Sequence, residues 1–566
     1  MSEPPVSRKA GISSVVWLAA GTIALCSGAC SMAPRPTASA APITLTIGFP
    51  YAAEEDASRG VRQAARLASL EGLSTQSLNG RPVPRLAENW TESTDGLTWA
   101  IRLRPSAVFH DGSAVDASAV KRSLERYLAT GAGRASAGLQ DISSIEASEP
   151  YLLTLRLKQR STLLIDDLET PITKLDDKGT TIGTGPYLIS SMSATEVVMT
   201  AFAHHYSGQA TVDRLVWRLF PTVRTAWAAT MRGEVDFLYE VGPETREFLQ
   251  SEGSVQLYSF QRAYVYGAIF NTRRPVFKEA EVRKALNYAI DRKSIVERAF
   301  RGHATPASGP AWPLHWAYDE SASEYEYEPA RAAASLQKIF SKDRVENNRP
   351  GVLKFACLIP QNFQLWERLA LMVQRDLAEI GVDMTLEAVP VDTFNQRIAS
   401  GDFDVVLMET VSGTSVNRPL SFWHSLGLHN FSGYQNASVD SALEAVRRAP
   451  GESEYREGFR RFQREVFDDP PAIFLAWGET ARAVSRRFDV VKAPGGDIRM
   501  TISDWTLADR RARSPIEADH VALRAAPSCC RDPAPSRLRR RLDLLPPRCN
   551  QTIGDHGQRE RCQARR

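Results

Sequence analysis

RPSAVFHDGSAVDASAVKRSLERY, residues 104–127, places His110 beside Asp111 and follows them with Asp116 and Glu125. Those residue types could be read as a catalytic or metal site, but their spacing argues for chain geometry. Phe109 and His110 end a strand, Asp111 and Gly112 tolerate the dihedral angles of a tight turn, and Asp116 stands where a helix N-cap belongs. Val120, Leu124 and Tyr127 then fall on one face of the helix that follows. His110 has no second titratable group at base or ligand spacing, so a turn and a cap are expected rather than catalysis.

Around this stretch the hydrophobic pattern has period two. YLLTLRLK (151–158) puts Tyr151, Leu153, Leu155 and Leu157 on one face and Leu152, Thr154, Arg156 and Lys158 on the other, as a half-buried strand requires. GLTWAIRLRP (96–105), EVVMTAF (196–202) and DRLVWRLF (213–220) repeat the pattern, and ITLTIGF (43–49) is the first strand. Further on, helical spacing takes over. EAEVRKALNYAIDRKSIVERAF (279–300) aligns Val282, Ala285, Leu286, Ala289 and Ile290, and FQLWERLALMVQRDLAEIG (363–381) aligns Leu365, Leu369, Val373 and Leu377 before Gly381 stops it. VDMTLEAVP (382–390) reads as a strand, Asp392 as the cap of a helix over TFNQRIASG (393–401), and FDVVLMET (403–410) as the next strand. Strands alternating with helices predict an α/β fold, and 566 residues exceed what one core usually holds, so two lobes are expected.

The net charge of +3 leaves no footprint for nucleic acid on the body of the chain. The fourteen arginines and seven acids after Leu507 supply more than that whole charge. This basic tail, 508–566, carries Cys529, Cys530, Cys549 and Cys562 at spacings that fit no zinc site, and its composition predicts disorder. At the other end, Arg8 and Lys9, the apolar run Ile12–Leu25 and the small residues before Cys30 read as an export signal over 1–30. Ser27-Gly28-Ala29-Cys30 resembles a lipobox, with Cys30 as the lipidated residue, although Cys26 stands where leucine is usual. Residues 31–42, with three prolines, read as a flexible tether. Cys357 is the one cysteine of the body and reads as a core thiol; His204 and His205 read as a solvated surface pair rather than metal ligands.

The ordered series from Ile43 to Leu507 resembles the family 5 extracytoplasmic solute-binding proteins, the receptors of peptide and nickel ABC importers. RPSAVFHDGSAVDASAVKRSLERY looks like the family signature, preceded by NGRPVPRLAENWTESTDGLTW (79–99) and followed by GTGPYLI (183–189) and RTAWAATMRGEVDFL (224–238). The most specific match is YGAIFNTRRPVFKEAEVRKALNYAIDRKSIVERAFRGHATPASGP (266–310). The resemblance implies a type II periplasmic-binding-protein clamshell. Lobe I would be discontinuous and strand-rich, 43–263 plus 480–507; lobe II, 264–479, would include crossings near Tyr264–Asn271 and Leu475–Glu479. A monomer is implied, anchored by lipid outside the cytoplasm in the periplasm or cell envelope, delivering solute to an ABC permease, with no cofactor, metal or catalytic residue.

Solute contacts are expected from Tyr51, Tyr264 and Tyr266 on one side, and from Glu409, Arg418, Trp423 and Trp477 on the other, with Asn271 holding the crossing. Core packing is the alternative for each aromatic, and Trp423→Ala is expected to weaken uptake with little loss of folding. Peptide receptors resembling this chain place an aspartate after the lobe II strand to meet the peptide ammonium. Here ETVSGTSVNRPLSFW (409–423) has none, leaving Glu409 as a substitute. An oligopeptide or dipeptide leads; a metal chelate, an opine or a short saccharide remains, and Arg418 suits a carboxylated ligand. An envelope hydrolase is the rival class, but the chain shows no nucleophile motif for it.

Overall fold

In the computed structural model, which describes residues 41–50, 57–322, 324–347, 353–492 and 496–508, Asp116 caps the helix Ala117–Leu128 by accepting from the Ala119 N–H at 2.7 Å. Gly112 turns at φ 83°, and the Asp111 carboxylate accepts from the Ser113 N–H and hydroxyl. His110 contacts the Gly185 carbonyl at 2.8 Å, fixing the turn to the GTGPYLI segment. The helix buries Val120 and Leu124 against a four-stranded antiparallel sheet in the order Ala87–Glu92, Thr98–Leu103, Leu152–Leu157, Ile142–Glu149. Leu153, Leu155 and Leu157 point into that core, following the alternation in the sequence.

The larger sheet has eleven strands. At its centre two long strands, Val255–Phe270 and Ala472–Ser485, pair antiparallel. Glu196–Ala201, Arg214–Leu219 and Thr44–Phe49 extend the sheet on one side; Val405–Val411, Lys354–Pro360 and Asp383–Val389 extend it on the other. One end of the long pair bounds a core of Leu45, Ile47, Trp217, Phe237 and Trp505. The other end is covered on both faces, with Ala268 and Phe270 turned into the core of Leu286, Leu369 and Val373, and Val265 and Ile269 into that of Leu443, Phe462 and Phe474. Burial on both sides explains why residues 265–270 are apolar or glycine without alternation.

The ladder slips between Gln261 and Val265 and again between Tyr266 and Gly267. Asn271 closes the end of the first strand: it is 2 % exposed, and its amide donates to the carbonyls of Gly401 (3.0 Å) and Phe403 (2.8 Å). The stretch 279–300 is two helices, Ala280–Tyr288 and Arg292–Ala299, rather than one. Asp291 caps the second, and the buried Arg292 guanidinium donates to the carbonyls of Ala307, Phe474 and Asn287, so its charge is held by backbone dipoles.

Two local expectations change and one holds. Asp392 lies inside the helix Val391–Ser400, whose N-cap is Pro390, so its carboxylate favours the positive helix end without capping it. His205 is 7 % exposed and sits against the equally buried Glu71, so the histidine pair is not a surface pair. The chain turns at Phe202–His205, which turns His205 inward and leaves His204 exposed. Cys357 is fully buried, as expected of a core thiol, and burial pushes it up to about 12.

Candidate ligand-binding cleft

The short helix Leu163–Asp167 buries Leu163, Leu164 and Ile165, which leaves Asp166 and Asp167 facing a loop far away in sequence. That loop follows the strand Val405–Val411. Ser412 and Gly413 both donate their N–H groups to the Ala263 carbonyl at 3.0 Å, and Gly413 at φ 67° turns the chain outward. Ser415 then donates to Asp166, and Asn417 donates to Asp167. Thr414 donates to Gln76 in the same way. Asp167 also accepts from the Ser136 hydroxyl (2.6 Å) and the Gly138 N–H (2.7 Å).

Between these two walls lies a cavity of about 730 Å³, within the usual range for small-molecule sites. Tyr127, Asp166, Asp167 and Glu169 line one side; Ser415, Asn417, Arg418, Leu428 and His429 line the other. Carboxyl groups on one side face the Arg418 guanidinium on the other. Burial pushes the Asp166 carboxyl up to about 7, against the Ser415 hydrogen bond and reinforced by the charges of Asp167 and Glu169. Burial likewise raises Asp167, opposed by Ser136, Gly138 and Asn417. Opposite them, burial and the Arg418 charge hold His429 below its ordinary range.

Beyond the cavity the walls meet directly. Asp141, 3 % exposed, accepts from Arg447 and Arg448 at 3.0 Å each, and the Thr162 N–H reaches the Arg447 carbonyl at 2.9 Å. Burial pushes the Asp141 carboxyl up, but Gln159 and the two guanidinium charges outweigh it and hold it below the usual range.

Of the residues picked from the sequence, Arg418 lines this cavity. Tyr264, Tyr266 and Glu409 form a separate group on the paired strands, where Tyr266 stands opposite Glu409. Arg262 pairs with Glu409 at 3.6 Å and lies over the Tyr264 ring at 4.1 Å. Burial raises the Glu409 carboxyl against the pull of Arg262 and Tyr266, so its charge is already engaged. Trp423 is 3 % exposed and edge-on to Phe474, and Trp477 is 2 % exposed and edge-on to Trp312. Both indoles pack in the interior, although Trp477 also borders a small cavity of about 270 Å³. Tyr51 and Cys30 lie outside the described residues. Sequence reasoning passed over Asp166 and Asp167; the available signal was a pair of acids set among leucines in LLIDDLE (163–169).

A family model described as bacterial extracellular solute-binding proteins, family 5 Middle, matches residues 81–432, more than half of the chain. The glutathione-binding protein GsiB of Salmonella typhimurium is 27 % identical over 500 residues, covering 83 % of this chain and 94 % of its own. The probable D,D-dipeptide-binding periplasmic protein DdpA of Escherichia coli is 24 % identical over 412 residues, 69 % of this chain and 78 % of its own. Among solved structures, NikZ of Campylobacter jejuni in complex with Ni(L-His) matches with a TM-score of 0.69 at 24 % identity, over 82 % of this chain and 99 % of its own. The shared fold is the mixed α/β architecture of periplasmic binding proteins.

Two outcomes follow from this geometry. Trp423→Ala should lower folding stability by about 3–5 kcal/mol in urea denaturation, because it empties a packed interior site; this reverses the expectation from sequence. For Asp166, the native state holds its proton from about pH 4, the ordinary aspartate value, up to about pH 7. The unfolded state releases it earlier, so this residue's contribution to stability falls as pH rises through that window. Asp166→Asn should therefore gain stability relative to the parent between pH 5 and pH 8, and a difference that stays flat or moves the other way would refute the raised carboxyl.

Proposed function

Because the chain belongs to the bacterial extracellular solute-binding proteins of family 5, we propose that the cavity between Asp166 and Arg418 holds a small peptide for delivery to an ABC permease. Carboxyl groups on one wall facing a guanidinium on the other carry this reading, because an ammonium placed beside Asp166 favours release of its proton. A peptide has an ammonium at one end and a carboxylate at the other, and a half-dry cleft rewards pairing each. Asp166 and its acidic neighbours serve the ammonium in place of the aspartate missing after the strand Val405–Val411. Arg418 serves the carboxylate. Glu409 is not that substitute, since Arg262 and Tyr266 already hold it.

The acid wall packs mainly through Leu164 and Ile165 in one core, with Leu163 reaching into the core of Val416 and Trp423 behind the other wall, and a solute touching both walls favours the closed arrangement and shifts the population toward it. The relatives are binding proteins, one named for glutathione and one for D,D-dipeptides, which supports short peptides over saccharides. Cys30 is proposed as the lipidated residue that keeps the receptor at the membrane.

Asp166→Asn should weaken binding of free-amine di- to tetrapeptides by about tenfold or more in isothermal titration, while N-acetylated analogues are unaffected. Equal losses for both would remove the ammonium assignment. A peptide mixture should be recovered intact after incubation; cleavage would favour the hydrolase. For the anchor, Cys30→Ser should abolish labelling of the expressed protein by radioactive palmitate, and persistent labelling would dismiss Cys30.

A further inference from the structure

A second cavity, of about 600 Å³, lies away from the Arg418 wall, enclosed by the helix Ala57–Ser69, the strands Tyr187–Met192 and Arg214–Leu219, and the 3-10 helix Ile498–Asp504. Two neutral side chains of its lining are anomalous. Tyr187 is 1 % exposed and Trp217 is 0 % exposed, yet among the described residues neither the phenol hydroxyl nor the indole N–H has a hydrogen-bond partner. Buried polar groups are nearly always paired, so two orphans lining one cavity are unexpected unless something else supplies acceptors. Burial, with the charges of Asp504 and Asp213, pushes the phenol above its ordinary range, so it remains a protonated donor.

The rest of the wall has the chemistry of an amphipathic guest. Leu67 and Met500 leave about half their surface exposed where the cavity is lined, 52 % and 49 %. Arg66, Arg85 and Arg499 stand around it, Arg499 being paired with Asp497 at 3.5 Å. Three acids line it and are partly spoken for: Glu71 accepts from Tyr206 at 2.9 Å and contacts His205 at 3.3 Å, Glu169 accepts from Thr75 at 3.1 Å, and Asp504 accepts from Ser503 at 3.2 Å.

We infer that this cavity is a second ligand site, taking a small carboxylic acid with an apolar body whose oxygens accept from Tyr187 and Trp217 beside the guanidinium groups. The inference does not rest on the peptide reading of the cleft: Arg418 lines only the other cavity, and among the described residues Glu169 is the one that lines both.

The probe is 4-fluorobenzoate, followed by fluorine NMR line broadening on the full chain, with 4-fluorobenzamide as the uncharged comparison. Saturable submillimolar binding is expected for the benzoate, at least tenfold weaker for the benzamide. Tyr187→Phe and Leu67→Glu should each weaken it at least tenfold, and Arg418→Ala should not change it. Tyr187→Phe should leave the melting temperature of the unliganded protein the same or higher, because it deletes a hydroxyl that has no partner. The inference is overturned by absence of saturable binding, by binding that survives Tyr187→Phe, by a lower melting temperature of that variant, or by loss of binding in Arg418→Ala. Equal affinity for the benzamide overturns the carboxylate.

Discussion

The ladder between Val255–Phe270 and Ala472–Ser485 is the constraint on which the rest of the molecule depends. One part of it bounds the core of Leu45 and Trp217, the other lies between the cores of Leu286 and Phe462, and the same two strands serve all of them. A slip of one residue would exchange the faces of every side chain from Val265 to Phe270, so the register is fixed by burial on both sides. Where the cores part, the ladder is interrupted between Gln261 and Val265. That interruption has a second use. The Ala263 carbonyl accepts from Ser412 and Gly413 and so aims the loop that carries Ser415, Asn417 and Arg418 into the cleft.

Contacts across the cleft set the balance that a solute must tip. Asp166 with Ser415, Asp167 with Asn417, and Asp141 with Arg447 and Arg448 are side-chain bonds between segments distant in the chain, which also meet where Leu163 packs in the core of Val416 and Trp423. Each exchanges bonds to water for bonds across the gap, so the net gain per contact is small, on the order of 1 kcal/mol. Asp141 is the exception in kind. Its burial is matched by two guanidinium groups, and removing either would leave a desolvated carboxylate short of a partner. Closure of these walls is therefore specified mainly at the Asp141 end and left adjustable at the cavity, where Asp166 holds its proton up to about pH 7.

Local signals in the sequence were legible where a single segment decides the outcome. The Asp111-Gly112 turn, the Asp116 cap and the inward face of Leu153, Leu155 and Leu157 each follow from residues a few positions apart. Signals failed where a partner is distant. Trp423 and Trp477 have the same apolar ring whether they touch a solute or Phe474 and Trp312, and only the packing of other strands and helices chooses. Asp166 and Asp167 look like the exposed acids of a surface helix until residues 415 and 417 arrive opposite them. His205 is drawn inward by Glu71, which lies 134 positions earlier in the chain. The helical stretch 279–300 breaks at Asp291, where a local cap, the Ser294 N–H donated to its carboxylate at 2.9 Å, combines with a distant one, its own N–H held by Asp376 at 3.0 Å.

The two cavities share one wall, and that wall determines what they can communicate. Glu169 lines both. Thr75, which donates to Glu169, faces the second cavity, while its neighbour Gln76 faces the cleft and accepts from Thr414. A guest in the second cavity touches none of the 413–429 loop, so it gains nothing directly from closure. It can bias the cleft only by moving the strand Ser74–Gln76 or the Glu169 carboxylate, and the reciprocal effect of solute on that guest must then be equal in free energy. Two hydrogen bonds join the linings, Thr75 to Glu169 and the Ser74 hydroxyl to the Ile165 carbonyl beside Asp166, and they are the direct routes for such coupling.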